Sequence, residues 1–185
     1  MKSFPFSIIQ FSRKGFTLIE LLIVIAILGV LAAALIATID PFEQIKKGGD
    51  TRVKELSTQF LEANVRYYAN HGALPWHATA NGGANCYTGG NTLSAVVLSG
   101  LTTCIETLTS DGELKQSFTS STDLSLVTVT NPNPQTTNVT DSIVCFEPKS
   151  KAQQNDVNTK YNQDGTIAAN CKSQGGTASC YWCTQ

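Results

Sequence analysis

The sequence predicts an α+β protein in which a long apolar N-terminal helix leads into a globular head. Three observations predict it: an apolar run at residues 16–39, a helical apolar stripe between Thr51 and Asn70, and a Ser-, Thr-, Asn- and Val-rich composition from Thr119 onward. Strands that follow helices, rather than alternate with them, indicate an antiparallel sheet packed on the helix. We expect a helical region at 16–71 and a head at 72–185.

The apolar run is long enough to cross a membrane. Its 24 residues would form a helix of about 36 Å, against about 30 Å of hydrocarbon in a bilayer. Glu20 is its single charged residue. An ionised carboxylate in a span costs several kcal/mol unless it has a partner, so Glu20 is a candidate functional residue.

The residues at the start of this run carry a family resemblance. Gly15-Phe16-Thr17-Leu18-Ile19-Glu20 resembles the processing site of type IV pilins and of type II secretion pseudopilins. The resemblance implies cleavage after Gly15 by a prepilin peptidase and N-methylation of the new N-terminal Phe16. It is dense from Lys14 to about Leu35. Many pilins have a helix-kinking proline where this chain has Ala37; its own proline follows at Pro41.

What the resemblance implies extends to assembly. Residues 1–15 would be a cytoplasmic leader that is removed, and residues 16–39 would form the core of a helical homo-oligomeric filament. The amine of Phe16 is expected to pair with Glu20 of a neighbouring subunit. Implied partners are the peptidase, membrane lipid, inner-membrane platform proteins and an assembly ATPase. The ATPase must be a separate protein, because this chain has no phosphate-binding glycine loop.

Charge predicts the topology of the chain. Residues 1–15 hold three basic residues and no acidic one, so their removal takes the formal charge from −1 to −4. A weakly acidic chain gives no reason to expect nucleic-acid binding. The positive-inside rule places the N-terminus in the cytoplasm and everything after Ile39 outside. An ordinary secretory signal fits poorly, because the best cleavage candidate, Gly15, precedes the apolar run.

An outward head is expected to hold disulfides. The six cysteines all follow the span, and six cysteines allow 15 pairings. We expect one disulfide between Cys86 and Cys104, because a short loop separates them. The other four cysteines are expected to form two further disulfides. A zinc site built on Cys171, the C-x-x-C at Cys180 and a histidine is disfavoured, because no second pair of matching form exists. The cysteines are Cys86, Cys104, Cys145, Cys171, Cys180 and Cys183.

The second half of the helical region has clear boundaries. Asp40-Pro41 predicts a helix restart or bend, and Gly48-Gly49 predicts a weak point. His71-Gly72 predicts the end, with His71 as a C-cap residue and His77 at the surface. We expect one long helix from Phe16 to about Asn70, softened at these two places. Its apolar stripe comprises Val53, Leu56, Phe60, Ala63 and Tyr67.

Helices and then strands are predicted in the head. Apolar spacing from Leu93 to Leu108 predicts one or two short helices with a break at Gly100, then a turn at Asp111-Gly112 and a further helical turn at 113–118. Four strands are expected, with a turn at 131–134 and a hairpin at Asp164-Gly165. They are Leu124 to Thr130, Ser142 to Glu147, Thr166 to Ala169 and Ser179 to Thr184.

Three small motifs carry weak signals. Four oxygen-bearing residues, Asp156, Asn158, Asn162 and Asp164, begin like a calcium loop, but the pattern then fails and ordinary turn chemistry is favoured. Asn138-Val139-Thr140 matches a glycosylation sequon by chance. Nothing supports a hydrolytic triad, so we expect no enzyme, cofactor or metal.

The expected function is that of a structural subunit of a type IV pilus or related filament, membrane-held before assembly and extracellular afterwards. A pseudopilin of type II secretion, in a periplasmic filament, is the first alternative. The second is an extracellular binding domain or enzyme for which the span is only an anchor. A filament subunit loses 15 residues and gains a methyl group, whereas a simple anchor keeps its N-terminus.

Overall fold

The fold is α+β, as the sequence predicts. The computed structural model describes residues 15–38, 40–78, 82–131 and 142–184. Two compact units divide the chain near Pro41. The first contains helix α1 (Leu18–Thr38), and the second contains helix α2 (Pro41–His71) and the head. The leader, the turn at 132–134 and the sequon at Asn138 lie outside the described residues.

The long helical region is two helices rather than one. α1 ends at Thr38 and α2 begins at Pro41, so the predicted helix restart at the proline is confirmed and the continuous helix is wrong. Proline lacks a backbone N–H and disfavours helical geometry in the residue before it, which makes it a good first residue of a helix. No break occurs at Gly48-Gly49, because α2 continues through both glycines.

α2 forms one wall of the hydrophobic core. The predicted stripe from Val53 to Tyr67 is buried throughout and packs with the head. The helix ends at His71, where Gly72 adopts a φ of +75°, the left-handed conformation that terminates helices. His71 then stacks on Tyr67 and places its Nε2 2.8 Å from an Asp111 carboxylate oxygen.

Five antiparallel strands form the sheet in the order β1-β2-β3-β5-β4. They are β1 (Leu93–Val97), β2 (Val127–Asn131), β3 (Ile143–Phe146), β4 (Thr159–Tyr161) and β5 (Tyr181–Thr184). The last strand of the chain therefore lies inside the sheet, between β3 and β4. Short helices α3 (Thr102–Ser110) and α4 (Lys151–Gln154) join the strands.

Several sequence predictions of the head are confirmed and others are wrong. The strands at 142–147 and 179–184 form, and Gly112 turns the chain after α3 with a φ of +79°. Leu93–Val97 is a strand and not a helix, because its β-branched residues pair with β2. Thr122–Leu126 is a 3-10 helix, so β2 starts at Val127. Residues 166–169 contribute a single bridge, Tyr161 with Ile167, around the confirmed turn at Gly165.

His77 is buried, which contradicts its predicted surface position. It is 1% exposed, and neither imidazole nitrogen has a hydrogen-bond partner among the residues that the structure describes. Burial lowers the pKa of His77, because the charged form would lose its hydration. The neighbouring Trp76 is also fully buried. The loop after α2 is therefore anchored by two aromatic rings inside the core.

We predict that head stability falls in mild acid because of His77. The pKa of His77 is lower in the folded protein than in the unfolded chain. Below about pH 6.5 the unfolded chain therefore binds more protons than the folded protein, and the free energy of unfolding decreases as the pH falls through that value. Thermal unfolding from pH 8 to pH 5 would measure this. His77→Phe, which cannot be protonated, should flatten the profile, and an unchanged profile would contradict the assignment.

Asp50 connects α2 to the far end of the chain. Its carboxylate is 5% exposed and accepts hydrogen bonds from the backbone N–H groups of Lys149, at 2.9 and 3.1 Å, and Ser150, at 2.7 Å. Ser150 is the N-cap of α4, where its hydroxyl accepts from the N–H of Gln153. One side chain thus positions the turn that follows β3.

We predict that Asp50→Ala destabilises the head by about 2–4 kcal/mol, because buried N–H groups lose a charged acceptor. Denaturant unfolding followed at the head tryptophans would measure the loss. Glu55→Ala is the matched control: Glu55 is exposed and accepts a hydrogen bond from the Gln59 side chain. Its effect should stay within about 0.5 kcal/mol. Equal losses in the two variants would contradict the role of Asp50.

Candidate functional site

The candidate site lies at the start of α1. Gly15, Phe16 and Thr17 precede the helix and are exposed, and the Phe16 side chain is 82% exposed. The peptide bond between Gly15 and Phe16 is therefore in non-helical, accessible chain, which is the condition a protease needs at the bond it cuts. The assignment of Gly15 and Phe16 as the cleavage and methylation site stays a prediction.

Thr17 and Glu20 form a reciprocal cap at the N-terminus of α1. The Thr17 backbone N–H and hydroxyl both donate to Glu20 Oε2 at 2.8 Å. In return, the Thr17 hydroxyl oxygen accepts from the Glu20 backbone N–H at 3.3 Å. This is a capping box, in which two N–H groups that the helix cannot satisfy receive side-chain acceptors. The carboxylate also lies at the positive end of the helix dipole.

Sequence reasoning missed the role of Thr17, although a signal was present. The pattern Thr-x-x-Glu directly before an apolar run is a capping box signature. The sequence predicts for Glu20 only a pairing with the Phe16 amine of a neighbouring subunit, and this pairing stays a prediction. The structure gives Glu20 two donors from Thr17 within its own chain, so its carboxylate is already satisfied before any partner arrives.

α1 has an exposed apolar surface along its whole length. From Leu18 to Ile36 the helix is long and apolar enough to cross a membrane, and no residue of that stretch is buried within the chain. Side chains as large as Leu18, Ile36 and Val30 are more than two-thirds exposed. Such a surface must be covered by lipid or by another protein, because it cannot remain in water.

Three disulfides hold the head, as the cysteine count predicts. They join Cys86 to Cys104, Cys145 to Cys183 and Cys171 to Cys180. The first is the pair expected from the sequence. The second connects residues that face each other across β3 and β5. The described cysteines are all paired, so the zinc alternative is wrong.

The oxygen-rich segment near the C-terminus forms turns. Asp156 accepts from the Asn158 N–H, and Asp164 accepts from the N–H and hydroxyl of Thr166. Those hydrogen bonds lower the pKa of Asp164. Among the described residues, no group of three or more His, Cys, Asp or Glu side chains could hold a metal ion. Ordinary turn chemistry thus explains these residues.

The fold and site together define a class: a protein with one exposed apolar N-terminal helix, a capped carboxylate at its start and a disulfide-bonded α+β head. A family model for the prokaryotic N-terminal methylation motif matches residues 11–36. The type IV major pilin protein PilE1 of Neisseria gonorrhoeae is 38% identical over 73 residues, which is 40% of this chain and 43% of that protein. The N-terminal part of the chain is therefore similar to that of type IV pilins.

A second relative has a similar level of identity over a similar length. The fimbrial protein of Neisseria meningitidis serogroup B is 39% identical over 70 residues, or 38% of this chain and 40% of that protein. The chain thus spans about two-fifths of the length of the curated relatives it matches. These relatives are named as pilins and fimbrial proteins rather than enzymes, in agreement with the sequence prediction. No solved structure matches the chain.

Proposed function

We propose that this chain is a structural subunit of a type IV pilus, held in the cytoplasmic membrane by α1 and then assembled through α1 into a filament outside the cell. The observation that carries the proposal is the uncovered apolar helix, which lies within the match to the N-terminal methylation motif. A lipid bilayer covers that surface before assembly, and the α1 helices of neighbouring copies cover it afterwards. Relatives named as pilins and fimbrial proteins favour a pilus over a secretion pseudopilus.

Processing after Gly15 prepares this assembly. A prepilin peptidase removes residues 1–15, and the new Phe16 amine is methylated and carries a positive charge. Thr17 lies between the new terminus and the helix, so cleavage leaves the cap of Glu20 intact. The head is then the part that faces outward, where its three disulfides suit an oxidising compartment. A platform and an ATPase supply the work of extraction.

Cleavage is tested at Gly15. Gly15→Leu should leave an uncut precursor in the membrane, because a large side chain blocks a bond that a protease must approach closely. Mass spectrometry of the purified protein would measure the mass and the N-terminal methyl group. Gly29→Leu is the control: it is the same change inside α1, where an added Cβ meets no atom within 4 Å, and it should be processed normally. A shortened product from Gly15→Leu would contradict the cleavage site.

Charge pairing at Glu20 is the second test. Two charges in an apolar filament core attract strongly, and leaving one without its partner costs about 3–5 kcal/mol. Glu20→Gln should therefore be cleaved normally but give at least tenfold fewer filaments in electron micrographs, since about 1.4 kcal/mol corresponds to a factor of ten. A glutamine still accepts from Thr17 in a capping box, so the variant removes the charge and keeps the helix start.

The matched control is Glu55→Gln, which removes one carboxylate charge from the exposed face of α2. Its filament count should equal that of the unaltered protein. Normal assembly of Glu20→Gln would exclude charge pairing, and α1 would then assemble by apolar packing alone.

A further inference from the structure

A groove of about 610 Å³ lies in the head. Its volume is in the range of about 300–1,000 Å³ that small-molecule sites occupy. Among the polar side chains that line it are Lys46, Glu147, Lys149, Gln163 and Tyr181. All of its lining residues belong to the second compact unit, so it is a separate site from the capped start of α1.

The fold does not use the polar groups of these five side chains. In the part of the chain that the structure describes, none of them donates or accepts a hydrogen bond or forms an ion pair. The neighbouring Gln154 differs, because its amide donates to the Pro148 carbonyl oxygen and accepts from Lys172 Nζ, each at 2.9 Å. Five groups that line one groove therefore keep their donors and acceptors for water or for a ligand.

Ordered backbone holds the walls of the groove. Tyr181 begins β5, which lies inside the sheet between β3 and β4. The Asp50 carboxylate accepts from the backbone N–H of Lys149 at 2.9 and 3.1 Å. On the opposite side of the chain, the Thr128 hydroxyl donates to the Gln163 carbonyl oxygen at 3.4 Å. The groove is thus formed before a ligand arrives, and a preorganised site loses less conformational entropy on binding.

The uncharged groups of the groove suit a ligand with many hydroxyl groups. The Gln163 amide offers both donors and an acceptor, which is what a hydroxyl group needs. Burial, and then the charge of Glu147, raise the pKa of Tyr181, so its phenol keeps the proton and donates. The half-buried ring of Tyr181 is apolar on its face and polar at its tip. A sugar ring has the complementary form, with an apolar face and hydroxyl groups at its edge.

Charge narrows the class of ligand. Lys46 and Lys149 bring two ammonium groups to the groove, against the single carboxylate of Glu147. The two lysines also line an adjoining groove of about 250 Å³, in which Arg52 lies 3.8 Å from the carboxylate of Asp123. That pair balances its own charge and leaves the lysines without a counter-ion. The excess of positive charge attracts an anionic group to the lysine side of the groove.

We propose that this groove binds an acidic saccharide. A sugar ring stacks on Tyr181, its hydroxyl groups bond to Gln163 and Glu147, and its carboxylate lies between Lys46 and Lys149. A large apolar ligand would leave these polar groups without partners, and a simple carboxylate would leave the ring of Tyr181 uncovered. The site is a property of the head of a single chain, so it goes beyond the proposed filament and does not depend on it.

NMR titration of the ¹⁵N-labelled full chain in detergent micelles tests the site, at low ionic strength so that charge is little screened. The probes are cellobiouronic acid and cellobiose, which differ only in one carboxylate. Both should shift the backbone amides of Glu147, Gln163 and Tyr181, and the acidic sugar should bind about tenfold more tightly. Lys46→Gln and Lys149→Gln should each weaken binding of the acidic sugar about fivefold and leave binding of cellobiose unchanged.

Lys115→Gln is the matched control, because Lys115 is exposed and does not line this groove. It should bind both sugars like the unaltered protein. Equal affinity for the two sugars would overturn the acidic class, and acetate binding as tightly as cellobiouronic acid would overturn the saccharide. The site itself is excluded if neither sugar shifts the amides of the groove. These measurements need no filaments, so a failure of assembly would be recognised separately.

Discussion

The constraint on which the rest of this protein depends is the apolar surface of α1, which the chain does not cover itself. The apolar side chains from Leu18 to Ile36 require a bilayer or a neighbouring helix as their environment. That requirement explains why the polar groups of this region are satisfied locally. The capping box joins Thr17 and Glu20, which are three residues apart in the sequence. Its hydrogen bonds therefore need neither water nor another helix or strand.

The head depends on a different constraint, which is the completion of its five-stranded sheet. Its sheet is completed by β5, the last strand of the chain, and a disulfide joins β5 to β3. Disulfides restrict the unfolded chain and typically contribute about 2–4 kcal/mol each. The buried stripe of α2 packs with the sheet in one hydrophobic core, and Asp50 connects α2 to the segment after β3 through hydrogen bonds.

From Asp50 to His71, α2 is a core helix whose buried residues pack against the head. Tertiary packing rather than helix propensity stabilises most protein helices. The stability of this part of α2 therefore depends on the head that covers it.

The sequence by itself determined the features that depend on neighbouring residues. The apolar span, the N-terminal methylation motif, the stripe of α2, its start at Pro41 and its termination before Gly72 are all local patterns of polarity and backbone preference. Tertiary structure decided what depends on distant residues. Leu93–Val97 has helical apolar spacing yet is a strand because β2 lies beside it, and Asp50 meets Ser150 across 100 positions. The pairing of Cys145 with Cys183 likewise follows from strand order, because cysteine spacing does not specify which strands become neighbours.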